Sequence, residues 1–343
     1  MVTKAPAKRI CARCNEKPPV ARRAIDGSLL CKECFLYSVE EDVHKTISDD
    51  TMFTPGMNVA VGVSGGKDSA ALLHCLYVLN KRHNYNINLQ MLAIDEGIKG
   101  YRDDSLQCVL RTQEKYQLPL NIVSFKERFG KDLDRLHKDS GQDTMCSFCG
   151  TLRRRALDEG ARDFESDLLV TGHNADDVAE TIIMNMMRGD TQRLVRCTKS
   201  VTGQVEIVNG KRFVPKAKPF KHIPQKEIVL YAFHAKLDYF STECPYSPDA
   251  MRGKPRLLLN RASRYDHAVV LNVIKAAEHF KLRTENTKTG KSINTSTKRT
   301  CDRCGEVSSL PLCQACKLVD VMRSNGDLST IFSGRNKLDN IVN

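Results

Sequence analysis

Val59-Ala60-Val61-Gly62-Val63-Ser64-Gly65-Gly66-Lys67-Asp68-Ser69 decides the fold of this chain. An apolar run of β type feeds a Ser-Gly-Gly turn, and a helical pattern through Ala70, Leu72, Leu73 and Leu76 follows at once. The pattern predicts a strand, a tight turn and a helix N-terminus. The first N–H groups of a helix have no partner within it and sit at the positive end of its dipole. Two glycines let the backbone close on an anion, and Lys67 adds a mobile cation. The turn is a candidate phosphate loop.

It is not a Walker A loop. That motif needs a Gly five residues before its second Gly and a Ser or Thr directly after the Lys, positions that hold Val61 and Asp68 here. Ser64-Gly65-Gly66-Lys67-Asp68-Ser69 instead resembles the PP-loop of N-type ATP pyrophosphatases. The resemblance implies ATP cleavage between the α and β phosphates, with the adenylyl group activating a substrate oxygen. An ordinary glycine turn is the alternative, and it leaves Lys67, Asp68 and Ser69 without a reason.

With 343 residues the chain has room for one large domain or two to three smaller ones. A 41% hydrophobic content and a mean hydropathy of −0.39 suit a soluble protein with a core. No run reaches the roughly 18 apolar residues of a membrane span, and no secretory h-region opens the chain. A cytoplasmic location is expected. The net charge of +12 favours a polyanionic partner. Fourteen cysteines in a reducing compartment point to metal binding rather than disulfides.

Those cysteines are spaced. Cys11-x₂-Cys14 and Cys31-x₂-Cys34, sixteen residues apart, have the spacing of a four-cysteine zinc ribbon, and Asp26-Gly27 supplies a hairpin turn between them. Cys301-x₂-Cys304 and Cys313-x₂-Cys316 form a second set across eight residues. Both read as structural Zn²⁺ sites. Between them, strand-like runs at Asn58–Val63, Ile87–Ile94, Leu120–Phe125 and Asp167–Thr171 alternate with helical patterns at Ser69–His83, Asp103–Tyr116, Cys146–Phe164 and Ala175–Arg188. The fold class is therefore α/β, a doubly wound parallel sheet flanked by N- and C-terminal ribbons. Expected divisions are 1–50 (ribbon and linker), 51–245 (nucleotide-binding body), 246–298 (helical extension and flexible linker) and 299–343 (ribbon and tail). Within the extension, helices are expected at Lys226–Ala235 and Ala262–Phe280, and Arg283–Lys298 reads as a mobile linker.

Ligands of such sheets sit beyond the carboxyl ends of the strands. Asp95-Glu96 and Thr171-Gly172-His173-Asn174-Ala175-Asp176-Asp177 join the loop there. Asp176 and Asp177 can simply cap a helix. Paired with Asp68, Asp177 could hold Mg²⁺ on a triphosphate.

Cys146 and Cys149 open a helical pattern on one face, and Cys244 is a third thiol far along the chain. Three thiolates leave one iron of a [4Fe–4S] cluster without a protein ligand, an open position of the kind a catalytic metal needs. An incoming sulfide could occupy it. Persulfide and disulfide chemistry, a zinc site, or a thioredoxin-like CxxC are the alternatives. Cys75, Cys108 and Cys197 read as core or incidental thiols, and His74 and His267 as ordinary histidines.

Terminal ribbons, a PP-loop, an internal CxxC with a distant Cys, and Gly-His-Asn-x-Asp-Asp together resemble the tRNA 2-thiolation enzymes of the TtcA/TtuA superfamily, in the double-ribbon group that makes 2-thiouridine. The likeness spans residues 11 to about 316. It implies ATP and Mg²⁺ at Ser64, Gly65, Gly66, Lys67, Asp68 and Ser69, with Ile94 and Asp95 near the adenine or ribose and Gly172, His173 and Asp177 completing the site. It implies a cluster on Cys146, Cys149 and Cys244, the wobble uridine of Lys, Glu and Gln tRNAs as target, a second thiolation subunit, a ubiquitin-like sulfur carrier, and self- or hetero-association. Cys146, Cys149, Cys244, Asp68 and Asp177 are the catalytic candidates. Arg153 departs from the pattern: bacterial relatives have a Lys there, and Arg cannot serve as a proton carrier. Basic clusters at Arg153-Arg154-Arg155, Lys211-Arg212, Lys216–Lys218 and Arg252–Arg256 fit a tRNA backbone footprint, although each alone reads as a solvated face. Rival readings are an amidating or lysidine-forming PP-loop enzyme, which needs no cysteine trio, and a non-catalytic zinc-ribbon RNA adaptor.

Overall fold

A computed structural model describes residues 9–140, 145–208, 211–242, 244–246, 252–286, 299–308 and 310–324. The N-terminal hairpin of β1 (Ala21–Arg22) and β2 (Leu29–Leu30) leads into α1 (Lys32–Asp49). The body follows as β3 (Asn58–Gly62), α2 (Lys67–Arg82), β4 (Asn88–Asp95), α3 (Tyr101–Tyr116), β5 (Leu120–Ser124), α4 (Phe125–Phe129), α5 (Leu133–Ser140), α6 (Met145–Asp163), β6 (Leu168–Thr171), α7 (Ala175–Met187) and α8 (Thr191–Cys197). Short strands β7 (Val201–Thr202), β8 (Glu206–Val208), β9 (Lys211–Phe213) and β10 (Lys216–Ala217) precede α9 (Gln225–His234), α10 (Gly253–Ala262) and α11 (Val269–Asn286). The C-terminal hairpin, β11 (Arg299–Thr300) and β12 (Val307–Ser308), ends in α12 (Gln314–Ser324).

Among the described residues the central sheet has the order β5-β4-β3-β6-β10-β7. Neighbours from β5 to β10 run parallel, and β7 closes the edge antiparallel to β10. The four expected strands are adjacent in it, with β5 at one edge. The β10 and β7 additions are two residues long, too short for a periodic signal.

Alternation along the strands separates two cores. Val59, Val61, Leu89, Met91, Ala93, Leu168 and Val170 face a cluster with α1, α2 and α9. Ala60, Leu92, Ile94, Val123 and Leu169 face the opposite cluster, with α4, α5, α6 and α12. Strands buried on both faces read as continuous apolar runs, which is why their existence was legible but their faces were not.

Each ribbon is built into one of these cores. Cys11, Cys31, Phe35, Val39 and Val43 share a cluster with Leu72, Leu73 and Leu76 of the helix that follows the glycine turn. Arg23 Nε donates to Glu227 Oε1 of α9 at 3.0 Å, and Tyr231 Oη donates to Glu40 Oε1 of α1 at 2.8 Å. On the other face, Leu318 and Met322 of α12 pack with Phe148, Cys149 and Leu152 of α6. Arg155 and Arg162 of α6 lie 3.0 Å and 2.6 Å from Glu306 Oε1 of the C-terminal ribbon.

Of the stretch expected as a helix over Ala262–Phe280, the part from Val269 is helical, as α11; 263–268 form a connection, and α10 before it, which ends at Ala262, was not foreseen. Asp266 Oδ1 accepts from Ala268 N at 2.8 Å just ahead of α11. α10 and α11 pack on α7 in a smaller helical cluster. The segment from Arg283, expected as linker, stays helical to Asn286, and 287–298 lie outside the described residues. So does the tail from 325. No helix among the described residues is long and apolar enough to cross a membrane.

Candidate active site

The turn after β3 is a loop on a helix N-terminus, as its sequence requires. Gly66 is the N-cap of α2, with Asp68 in the first turn and Lys81 and Arg82 in the last, complementing the helix dipole. Ser69 Oγ donates to Gly66 O at 2.9 Å and accepts from Ser64 N at 3.1 Å, closing the loop on itself. Gly65 has φ +80°, and a Cβ there would lie 2.5 Å from Ser105 O. Only glycine fits.

Register places the second constellation beside the first. Gly62 of β3 pairs with Thr171 of β6, so the turn at Gly172 meets the start of α2. A Cβ on Gly172 would stand 3.0 Å from the Asp68 carbonyl carbon. Asn174 links the two turns: Nδ2 donates to Asp68 Oδ1 at 3.2 Å, while Oδ1 accepts from Asp177 N at 3.1 Å. Asp177 Oδ2 returns a bond to Asn174 N, completing a capping box on α7.

Asp68 Oδ2 accepts from Lys67 Nζ at 3.0 Å, and Asp177 Oδ1 from Arg252 Nη1 at 3.1 Å. His173 Nδ1 lies 2.7 Å from Thr171 Oγ1. Burial holds the imidazole below its usual range against the pull of Asp177, and Arg252 and Lys218 push the same way as burial. Asp176 does not join this group. Its Oδ2 accepts from Gln225 N at 2.7 Å and so anchors α9, the capping alternative. Ile94 is buried at the end of β4, and Asp95 Oδ1 accepts from Gly97 N at 2.9 Å.

The cysteine trio gathers at the same edge. α6 runs back against the strands, so its first turns lie at their carboxyl ends. Cys146 Sγ donates to Tyr246 O at 3.0 Å. Cys244 and Tyr246 pack on the core that holds Cys149. Burial pushes the Cys149 thiol up to about 11, against the pull of Arg153, and also raises Cys244. The three sulfurs do not meet the 4.8 Å mutual spacing that both ribbon sets meet. One zinc, with Zn–S of about 2.3 Å, needs that closeness. Three thiols with no fourth protein ligand are the donor set that leaves one iron of a cluster open. In each ribbon backbone N–H groups overcome burial at one thiol, drawing Cys11 and Cys301 down to about 6, while burial raises Cys31, Cys34, Cys313 and Cys316. The mutual closeness of the four sulfurs in each set is what fits a single metal ion.

A charged chain joins the two halves. Arg153 Nη2 donates to Cys149 Sγ at 3.2 Å and its Nε to Glu96 Oε1 at 2.7 Å. Arg102 Nε lies 3.2 Å from Glu96 Oε2. Arg102 Nη1 donates to Ser64 O at 3.0 Å and to Ser105 Oγ at 2.9 Å. The sequence places Glu96 and Asn174 at the strand ends without a part of their own, counts Arg252 only in a basic cluster, and does not single out Arg102. Asn174 was findable, because Asn followed three residues later by Asp signals a capping box. The others are brought in by tertiary packing.

The expected basic footprint is largely consumed internally. Arg155 pairs with Glu159 and Glu306, Arg212 with Asp167, Lys216 with Asp158, and Arg252 and Arg256 with Glu180. Lys218 Nζ donates to Cys197 O at 2.9 Å. These residues hold the fold; a charge cluster in sequence does not reveal the acids that meet it in space. Cys75 and Cys108 are buried and Cys197 half-buried, as expected of structural thiols.

Residues 36–262 match the PP-loop domain family. Cytoplasmic tRNA 2-thiolation protein 1 of Oryza sativa subsp. japonica is 45% identical over 96% of this chain and 86% of its own length. The Arabidopsis thaliana protein of the same name is 46% identical over 92% and 86%. Among solved structures, the U34-tRNA thiolase NcsA from Methanococcus maripaludis, with its [4Fe-4S] cluster, superposes with a TM-score of 0.73 at 30% identity, covering 93% of this chain and 97% of that one. The shared loop, paired ribbons and nearly full-length likeness have one reading: the chain belongs to the PP-loop family and, within it, to the cytoplasmic tRNA 2-thiolation protein 1 family.

Proposed function

We propose that this protein makes 2-thiouridine at wobble position 34 of Lys, Glu and Gln tRNAs in the cytoplasm, using ATP to activate the base. The convergence of the glycine loop and the cysteine trio on one sheet edge, joined through Arg102, Glu96 and Arg153, supports this reading above all. An enzyme that only adenylated, or amidated with nitrogen, has no use for the second half.

ATP sits with its phosphates on the N–H groups of Ser64–Ser69. Lys67 leaves Asp68 for the phosphates, which frees Asp68 Oδ2, with Asp177, for Mg²⁺. Uracil O2 attacks the α-phosphorus and pyrophosphate leaves. Loop amides and Lys67 offset the charge that grows on the phosphates. A sulfur nucleophile then adds at C2, the C2–O2 bond breaks, and AMP departs with that oxygen. A [4Fe–4S] cluster on Cys146, Cys149 and Cys244 would supply one iron free of protein ligands to hold the sulfur. Arg153, fixed on Cys149 and Glu96, orients that ligand and carries no proton. Zn²⁺ belongs in the two ribbons. The base must leave the anticodon stack, which is easier in a single-stranded loop. A second thiolation subunit and a ubiquitin-like sulfur carrier complete the system.

The test is anaerobic purification with iron and sulfide assay, then thiolation of unmodified tRNA with ATP. Iron-dependent activity that Cys244→Ala abolishes is expected. An iron-free protein of full activity overturns the cluster, and full activity of Cys244→Ala overturns the trio.

A further inference from the structure

We propose that Glu96 is a positioning residue that couples nucleotide binding to the state of the cysteine trio. The inference rests on reading the loop as the ATP site and the trio as the sulfur site. Glu96 follows β4 at the sheet edge and is 4% exposed. Its two carboxylate oxygens serve different arginines: Oε1 holds Arg153 and Oε2 holds Arg102. Each arginine spends its remaining reach on one of the two chemical centres. Arg153 touches Cys149 Sγ, and Arg102 touches the carbonyl of Ser64, the first residue of the loop.

A purely structural ion pair is the competing explanation, since buried pairs are common and contribute little net stability. Three features disfavour it. The outer ends of the network are a loop carbonyl and a reactive-site thiol, rather than core groups. Arg102 Nε and Nη2 are buried with no hydrogen-bond partner among the described residues, and Nε meets Glu96 Oε2 only as an ion pair at 3.2 Å, so the network is not optimised for satisfaction alone. Two cations also share one anion, and each reaches a different centre.

The physical coupling follows from that shared anion. When the thiolates gain or lose charge, Arg153 shifts its balance between Cys149 and Glu96. Glu96 then holds Arg102 more or less tightly, and Arg102 sets the Ser64 carbonyl. Gly65, next in the chain, packs so closely on Ser105 that an added Cβ would stand 2.5 Å from Ser105 O. A small shift therefore reaches the phosphate amides.

The test uses full-length protein, prepared anaerobically with and without iron in the trio and with both ribbons zinc-loaded. Calorimetry gives the affinity for α,β-methylene-ATP in each state, and electron paramagnetic resonance of the dithionite-reduced protein follows the iron signal on adding the same analogue. Wild type is expected to show a difference in affinity of about fivefold or more between the two states, the lower end of typical site-to-site coupling, and a shifted signal. Glu96→Gln, which keeps shape but loses charge, should bind the analogue with a ratio near one and an unshifted signal. Arg153→Lys, which keeps charge but cannot reach Glu96 and Cys149 together, should do the same and carries the test if circular dichroism shows Glu96→Gln misfolded. A wild-type ratio near one, or a ratio preserved in the variants, overturns the coupling while leaving the proposed reaction intact. Failure of wild type to bind the analogue, or to take up iron, overturns the reading of the sites themselves and the coupling with it.

Discussion

The Asn174 side-chain amide donates to Asp68 Oδ1 at 3.2 Å, tying the turn after β6 to the first turn of α2. Its oxygen caps α7 at the same time. One side chain thus sets both the stability of a helix and the placement of a candidate Mg²⁺ ligand. Asn174→Ala should cost about 1 kcal/mol in urea denaturation through the lost cap. Asn174→Asp keeps the cap but turns a carboxylate toward Asp68. Calorimetry should then show weaker ATP binding with stability nearly unchanged.

Gly65 and Gly66 look alike in sequence and should behave differently. Gly65→Ala adds a Cβ at 2.5 Å from Ser105 O at positive φ, whereas the nearest atom to a Cβ on Gly66 is the Ser64 Oγ at 3.4 Å. A strained residue of this kind costs about 1–3 kcal/mol. ATP affinity should fall at least about tenfold in Gly65→Ala, and the folding of Gly66→Ala should be close to wild type.

His74 gives the fold a pH dependence remote from the chemistry. Burial, with a smaller push from Lys115, lowers the imidazole from 6.5 to about 4, and its Nδ1 lies 2.8 Å from Tyr116 Oη. The unfolded chain protonates His74 near 6.5 while the folded chain resists. Its contribution is therefore complete above that pH and is lost as pH falls toward 4, on the order of 2–3 kcal/mol. Denaturation midpoints at pH 7.5 and 5 should diverge less in His74→Gln than in wild type.

Glu306 is the anion between Arg155 and Arg162, all three largely buried. Glu306→Ala leaves two cations of α6 facing each other and should cost up to about 3 kcal/mol. Amide exchange should quicken in α6 and in the C-terminal ribbon together. Exchange confined to the ribbon would show that the two are not mechanically joined.

The parts of the fold legible in the sequence were those with local causes. Glycine turn, helix start and CxxC spacing each depend on neighbours within a few residues, so Gly65, Gly66 and the eight ribbon cysteines could be placed at once. The α1 helix escaped because its apolar positions, Phe35, Val39 and Val43, follow directly on a ribbon ligand and read as linker. Glu96 and Arg102 escaped for a deeper reason: an acid at a strand end gives no local sign of which cations will fold onto it. The basic clusters were legible as charge, but sequence does not show the carboxylates that meet them in space.

The two four-cysteine sets each underpin a different half of the site. The N-terminal ribbon shares its core with α2, the helix of the phosphate loop, and the C-terminal ribbon shares its own with α6, the helix of Cys146 and Cys149. Loosening the first set would slacken the half that activates the base, and loosening the second the half that delivers sulfur. Whatever holds those cysteines together touches no substrate, yet each chemical step would depend on it separately.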